Sequence, residues 1–130
     1  MKVLFATSEA APFLKTGGLG DVLGALPKAV AEEGIDARVV MPLYSDIPHN
    51  LRSQMEFIAN FYVTISWRKT YCGVFSAKVG KVTYYFIDNE QYFSRGQIYG
   101  EYTFDISKAC NVIYRSSTVL ITDFLTGKTC

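Results

Sequence analysis

The sequence predicts an α/β fold, and three observations carry that prediction. A short apolar run at 2–7, a helical pattern at 20–33 and a second apolar run at 37–41 follow one another. Strand, helix, strand in that order is the repeating unit of a parallel sheet. The middle of the chain then changes to segments rich in Val, Ile, Tyr and Phe, which reads as antiparallel strands added to that sheet. Finally, 130 residues at 49% hydrophobic and 19% charged match the size and composition of one packed domain.

Each element has a local reason. The first run, Lys2 to Thr7, is a short apolar run bounded by polar residues, which reads as a buried strand. Gly17-Gly18 breaks the chain before the helical pattern. There Leu19, Leu23, Leu26 and Val30 recur at spacings of three and four, predicting one apolar stripe. Asp21 falls in the first turn, where its charge suits the helix dipole, and Gly34 is a stop just past the end. Pro27 lies inside the pattern, so a kink or a frayed first half is expected. The run 37–41 is a second strand, closed by Pro42. Strands are predicted at 57–67, 70–79 and 82–88, with Gly80-Lys81 as a tight hairpin turn. Residues 89–102 read as a polar, aromatic loop, and 103–130 show no clean period of either kind. Val112-Ile113-Tyr114 and the run 118–125 are strand-like in composition, and 119–125 is an aggregation risk if left unpaired.

Charge and cysteines narrow the function classes. Lys and Arg number 13 against 12 Asp and Glu, a net charge of +1. That gives no field for steering a polyanion, so a dedicated nucleic-acid partner is not expected. No stretch approaches the roughly 20 apolar residues of a membrane span, and Ser8-Glu9 interrupts the first apolar run too early for a secretory leader. Cys72, Cys110 and Cys130 are odd in number and widely spaced, which suits neither a disulfide framework nor a metal site. Cys72, in a strand, reads as a buried small apolar residue. A cytoplasmic protein without metal or cofactor is the simplest reading, and nothing in the sequence speaks to oligomeric state.

The segment that carries chemistry is Lys15-Thr16-Gly17-Gly18-Leu19-Gly20-Asp21-Val22, between the first strand and the first helix. In open α/β sheets ligands bind beyond the carboxyl ends of strands, where such a loop sits. Glycines let backbone amides approach a ligand, and the helix N-terminus adds unpaired donors and partial positive charge. Lys15 adds a full charge, so the set suits a phosphate or pyrophosphate. Two familiar phosphate motifs fail on spacing. Lys15 precedes the glycines, unlike a P-loop lysine, and the third position of a dinucleotide fingerprint counted from Gly18 and Gly20 is Leu23. A glycine-rich turn serving chain geometry alone remains open at this level.

The residues Ser8-Glu9-Ala10-Ala11-Pro12-Phe13 and the Lys15–Val22 string closely resemble the N-terminus of bacterial glycogen synthases and plant starch synthases. Leu26-Pro27, Val39-Val40-Met41-Pro42 with Tyr44, the run 86–93 and Ile98-Tyr99-Gly100 continue the likeness. The resemblance implies a Rossmann-like partial N-terminal domain of a two-domain, GT-B type glycosyltransferase, with an antiparallel hairpin insertion. It implies that Lys15 and the Gly17-Gly18 backbone contact the diphosphate of ADP-glucose, and that Asp21 orders the loop or contacts donor or acceptor. The reaction implied is transfer of glucose, with retention, to the non-reducing 4-OH of an α-1,4-glucan. A non-catalytic module binding α-glucan or ADP, or an unrelated α/β protein with a generic phosphate loop, are the alternatives.

The resemblance covers 1–102, and 103–130 reads as a divergent tail. A shifted reading frame or an alternative end would explain it, and no catalytic residue is carried over. His49, the only histidine, matches none of the family's catalytic positions and reads as an exposed loop residue. The chain alone is therefore expected to be inactive, or active only with the missing half supplied in trans. Of the remaining residues, Tyr62, Trp67, Tyr71, Tyr84 and Tyr85 fit core and cross-strand packing, although aromatic faces also stack on sugars. Glu9 reads as holding Lys15, accepting from a glucan hydroxyl, or as a plain loop residue. Arg38, Arg52, Arg68 and Lys69 read as a solvated surface.

Overall fold

The computed structural model describes residues 1–65 and 67–89. The predicted loop beyond Asn89, the tail at 103–130, Cys110 and Cys130 lie outside the described residues. Within them the chain forms strand β1 (Lys2–Ala6), helix α1 (Gly18–Glu32), strand β2 (Asp36–Pro42), a one-turn helix α2 (His49–Arg52), and strands β3 (Glu56–Ile65), β4 (Arg68–Val79) and β5 (Val82–Asp88).

The five strands make one sheet in the order β1-β2-β5-β4-β3. β1 and β2 pair in parallel, with Phe5 opposite Val39, and β2 pairs in parallel with β5, with Met41 opposite Phe86. β4 runs antiparallel to both β5 and β3. The predicted hairpin is thus an integral half of the same sheet. Its two-residue turn joins Val79 to Val82, with Gly80 at φ 60°, a left-handed conformation that glycine adopts without strain. Gly34 ends α1 in the same way at φ 84°, its N–H donating to the Ala31 carbonyl.

The core lies where the parallel strands meet the segments between them. Ala37, Val39, Val40 and Met41 of β2 and Tyr84, Tyr85, Phe86 and Ile87 of β5 are all buried. These near-continuous apolar runs are what strands covered on both faces require. Phe13, from the loop after β1, packs edge-on against Phe86 at 4.7 Å and tilted against Tyr84 at 5.0 Å. Cys72 is fully buried on β4, as its strand position predicts.

Several expectations are corrected. β1 is only half-buried, because it stands at the end of the sheet and pairs with β2 alone among the described residues. The buried face of α1 is Gly20, Leu23, Pro27 and Ala31, while Leu19, Val22 and Leu26 are 44%, 51% and 46% exposed. Only Leu23 of the predicted stripe is fully buried, and Val30 is partly so. The reason is contact distance: Gly20 and Gly24 lie against the 10–15 loop, and small residues set the closest face. The helix is unbroken through Pro27, so its first half is not frayed. His49 is exposed but opens α2 rather than lying in a loop. Two arginines leave the solvated surface. Arg38 bonds Asp36 and the Tyr85 hydroxyl, and Arg52 donates to the Tyr44 carbonyl at 2.8 Å. The aromatics divide: Tyr84 and Tyr85 are core, whereas Tyr62 and Tyr71 form an exposed edge-to-face pair and Trp67 is 88% exposed.

Candidate functional site

The carboxyl ends of the three parallel strands, at Ala6, Pro42 and Asp88, share one edge of the sheet. The 7–17 loop leaves from that edge. Its start is tied to the neighbouring strand by the Thr7 N–H on the Val40 carbonyl at 3.0 Å. Thr7 then folds the chain locally: its hydroxyl donates to the Glu9 carbonyl at 2.9 Å. The loop turns on the Leu14 and Phe13 N–H groups, which both donate to the Ala10 carbonyl. Burial of Ala10 and the seat of Phe13 in the core fix its middle. The Ala11 N–H reaches across to the Gly20 carbonyl at 3.0 Å, joining the loop to the helix it precedes.

The glycines of the motif fall into two groups with different physical roles. Gly17 is the N-cap of α1 with extended φ of −169°, and Gly18 is the first helical residue. A Cβ at either position would meet nothing within 4 Å, so both face open space. Gly20 and Gly24, one helical turn apart, are the packing glycines. A Cβ at Gly20 would come within 3.0 Å of Lys15 Cα, and one at Gly24 within 3.0 Å of Ala11 Cβ.

The four residues assigned to the site from sequence come together at the head of α1. Lys15 Nζ lies 2.9 Å from Asp21 Oδ1, with the two side chains 52% and 61% exposed. Gly17 and Gly18 occupy the turn between them in the chain. An ion pair this exposed contributes about 0–1 kcal/mol, so Lys15 can leave Asp21 for a stronger anion at little cost.

A second carboxylate, Glu9, whose role the sequence leaves open, is bonded to the residues on either side of the Gly17-Gly18 turn. Glu9 is 1% exposed. One carboxylate oxygen accepts from the Thr16 N–H at 3.0 Å and from the Thr16 hydroxyl; the other accepts from the Gly20 N–H at 2.9 Å. It forms no ion pair with Lys15, whose partner is Asp21. The Thr16 hydroxyl, helped by the amides of Thr16, Gly20 and Gly17, holds Glu9 below the usual carboxylate range, with burial opposing. α1 has no side-chain N-cap of its own. Glu9 supplies that cap from eleven residues upstream, accepting from the N3 amide as a local cap would. A carboxylate within an apolar stretch, seven residues before a Thr at the start of a glycine turn, is the sequence signal for it.

A loop rich in exposed amides between the first strand and first helix, at the carboxyl edge of parallel strands, defines a Rossmann-like α/β unit. The chain belongs to the starch synthase catalytic domain family, whose profile matches residues 2–120. It is 55% identical over 102 residues to the glycogen synthase of Lactobacillus acidophilus, covering 78% of this chain and 21% of that protein. It is 54% identical over 102 residues to the glycogen synthase of Clostridium kluyveri, covering 78% and 22%. Among solved structures it resembles the catalytic domain of starch synthase IV from Arabidopsis thaliana bound to ADP and acarbose, at TM-score 0.66 and 26% identity. That match covers 77% of this chain and 21% of the other. The chain therefore spans about a fifth of the length of the relatives it matches. No helix among the described residues is long and apolar enough to cross a membrane.

Proposed function

We propose that residues 1–102 are the donor-phosphate part of an ADP-glucose-dependent glucan synthase, with 103–130 a divergent tail. The enzyme transfers glucose with retention to the 4-OH at the non-reducing end of an α-1,4-glucan. The observation that carries this reading is the Lys15–Asp21 turn at the head of α1, in a chain of this family. Its support from outside the chain is a structural relative bound to ADP and acarbose.

In this reading the open-faced Gly17-Gly18 backbone receives the diphosphate, and Lys15 Nζ exchanges Asp21 for a phosphate oxygen. As the bond from the glucose C1 to ADP breaks and the glucan O4 replaces it, negative charge grows on the departing diphosphate. A lysine already within reach, at the positive end of a helix, stabilises that charge without reorganisation. Asp21 keeps Lys15 beside the turn when the site is empty. In this reading the protein works in the cytoplasm.

One wall of a cleft can hold an anion without enclosing a sugar, so the informative assay on this chain is binding rather than turnover. ADP titrated into the 130-residue chain should bind, and Lys15→Ala should weaken it roughly tenfold or more, the worth of one charge-assisted hydrogen bond. Malto-oligosaccharide, titrated separately, tests the acceptor side. Calorimetry showing no ADP binding to the unsubstituted chain, or equal binding by Lys15→Ala, would sink the proposal.

A further inference from the structure

We infer that Glu9 is a positioning residue for the phosphate loop, acting with Thr16: it takes the Thr16 and Gly20 amides, with the Gly17 amide also turned to it, so that of the Gly17-Gly18 backbone proposed for the diphosphate the Gly18 amide, followed by that of Leu19, is left to meet the ligand. The inference rests on the donor-loop reading above and adds a residue to it.

The geometry leaves the carboxylate little else to do. It is buried, does not pair with Lys15, and is met by donors on both oxygens: Thr16 N–H and hydroxyl on one, Gly20 N–H on the other. Gly17 N–H also faces it. Both oxygens must be acceptors. A glutamine, although the same shape, would turn an NH₂ group toward a backbone N–H in either orientation of its amide. A buried donor facing a donor is the costly case, because neither can reach water. The fixed points are the two ends of the turn, Thr16 before it and Gly20 after it. With both held on one carboxylate, the intervening Gly17, Gly18 and Leu19 are pinned as a short arch. Gly18 and Leu19 head the first turn of α1, whose amides have no intrahelical acceptor.

Glu9 also puts negative charge under a site proposed for an anion, and the two effects predict opposite signs. Positioning predicts that Glu9→Gln weakens ADP binding; repulsion predicts that it strengthens it. We expect positioning to win, since four donors already spread the carboxylate's charge.

The test uses the whole chain with Glu9→Gln, Thr16→Val and the unsubstituted protein, at a temperature where each is folded by near-ultraviolet circular dichroism. ADP affinity is measured by calorimetry, and amide exchange at Thr16 and Gly20 by NMR. Glu9→Gln should lower ADP affinity about tenfold and speed exchange at both amides at least tenfold. Thr16→Val, which keeps the carboxylate and the amides, should show the same change at smaller size. Unchanged or tighter ADP binding by folded Glu9→Gln overturns the inference. If Glu9→Gln does not fold, Thr16→Val decides: weaker ADP binding supports the inference and equal binding overturns it. If the unsubstituted chain binds no ADP, the donor-loop reading fails separately. The exchange rates then decide whether Glu9 holds the turn, and unchanged protection overturns that too.

Discussion

Two carboxylates flank the same turn, and their surroundings give them different energetic weight. Asp21 meets Lys15 in solvent, so Asp21→Asn should cost under about 1 kcal/mol of stability. Glu9 meets its donors in the interior, so Glu9→Gln should cost about 2 kcal/mol or more, because it strands a buried N–H. Urea denaturation of the two variants at pH 7 checks the ranking. Acid adds a second check with a definite sign. Native Glu9 holds its proton less readily than the unfolded chain does, chiefly because the Thr16 hydroxyl bonds the ionised form. Its contribution is therefore complete at neutral pH. It begins to fall below about pH 4.3, the ordinary glutamate value, and is lost as pH drops through the lower native value. The stability gap between the unsubstituted chain and Glu9→Gln should narrow between pH 5 and pH 3. A constant gap would show that the carboxylate's charge is not what holds the turn.

At the scale of the helix, the apolar residues and the packed face are different sets. Leu19, Val22 and Leu26 point outward, while the contact with the loop is made through Gly20 and Gly24. Hydrophobic periodicity locates α1 correctly along the chain, since Gly17-Gly18 opens it and Gly34 closes it. It fails to orient the helix because a glycine has no side chain to score, yet permits the closest approach. Gly24→Ala makes this measurable. In an isolated helix alanine gains about 1 kcal/mol over glycine. Here its Cβ meets Ala11 at 3.0 Å, and crowding of that kind costs about 1–3 kcal/mol. Gly24→Ala should therefore lower the melting temperature, whereas Leu26→Gln, on the predicted stripe but exposed, should change stability by less than about 0.5 kcal/mol. The opposite ordering in thermal denaturation would mean that the apolar face is the packed one.

At the scale of the molecule, the loop and the sheet are one body because Phe13 joins them. Phe13 stands two residues before Lys15 in the chain, and its ring packs on the β5 aromatics Tyr84 and Phe86. Removing a buried phenylalanine costs about 3–5 kcal/mol. Phe13→Ala should show a loss of that size in denaturant unfolding. It should also weaken ADP binding at temperatures where the variant is still folded, since the loop loses its anchor. Loss of stability with ADP affinity intact would show that the loop keeps its shape without the core. The mixed sheet has the same local logic: parallel where α1 connects β1 to β2, and antiparallel where a two-residue turn connects β4 to β5.

The sequence by itself determined the α/β class, the described strands to within about two residues, and both glycine stops. These are local properties: run length, alternation, and the conformations only glycine takes easily. From the residues of the Lys15–Val22 string it also determined the family. Only the tertiary structure decided which face of α1 is buried, that β1 pairs with β2 alone among the described residues, and that Glu9 belongs to the turn. Each depends on groups distant in the chain: Gly24 on Ala11, β1 on the placing of β2 beside β5, and Glu9 on an amide eleven residues away. Burial and hydrogen-bond saturation exist only once the chain has closed on itself, and that is where the roles of Glu9, Gly20 and Phe13 become visible.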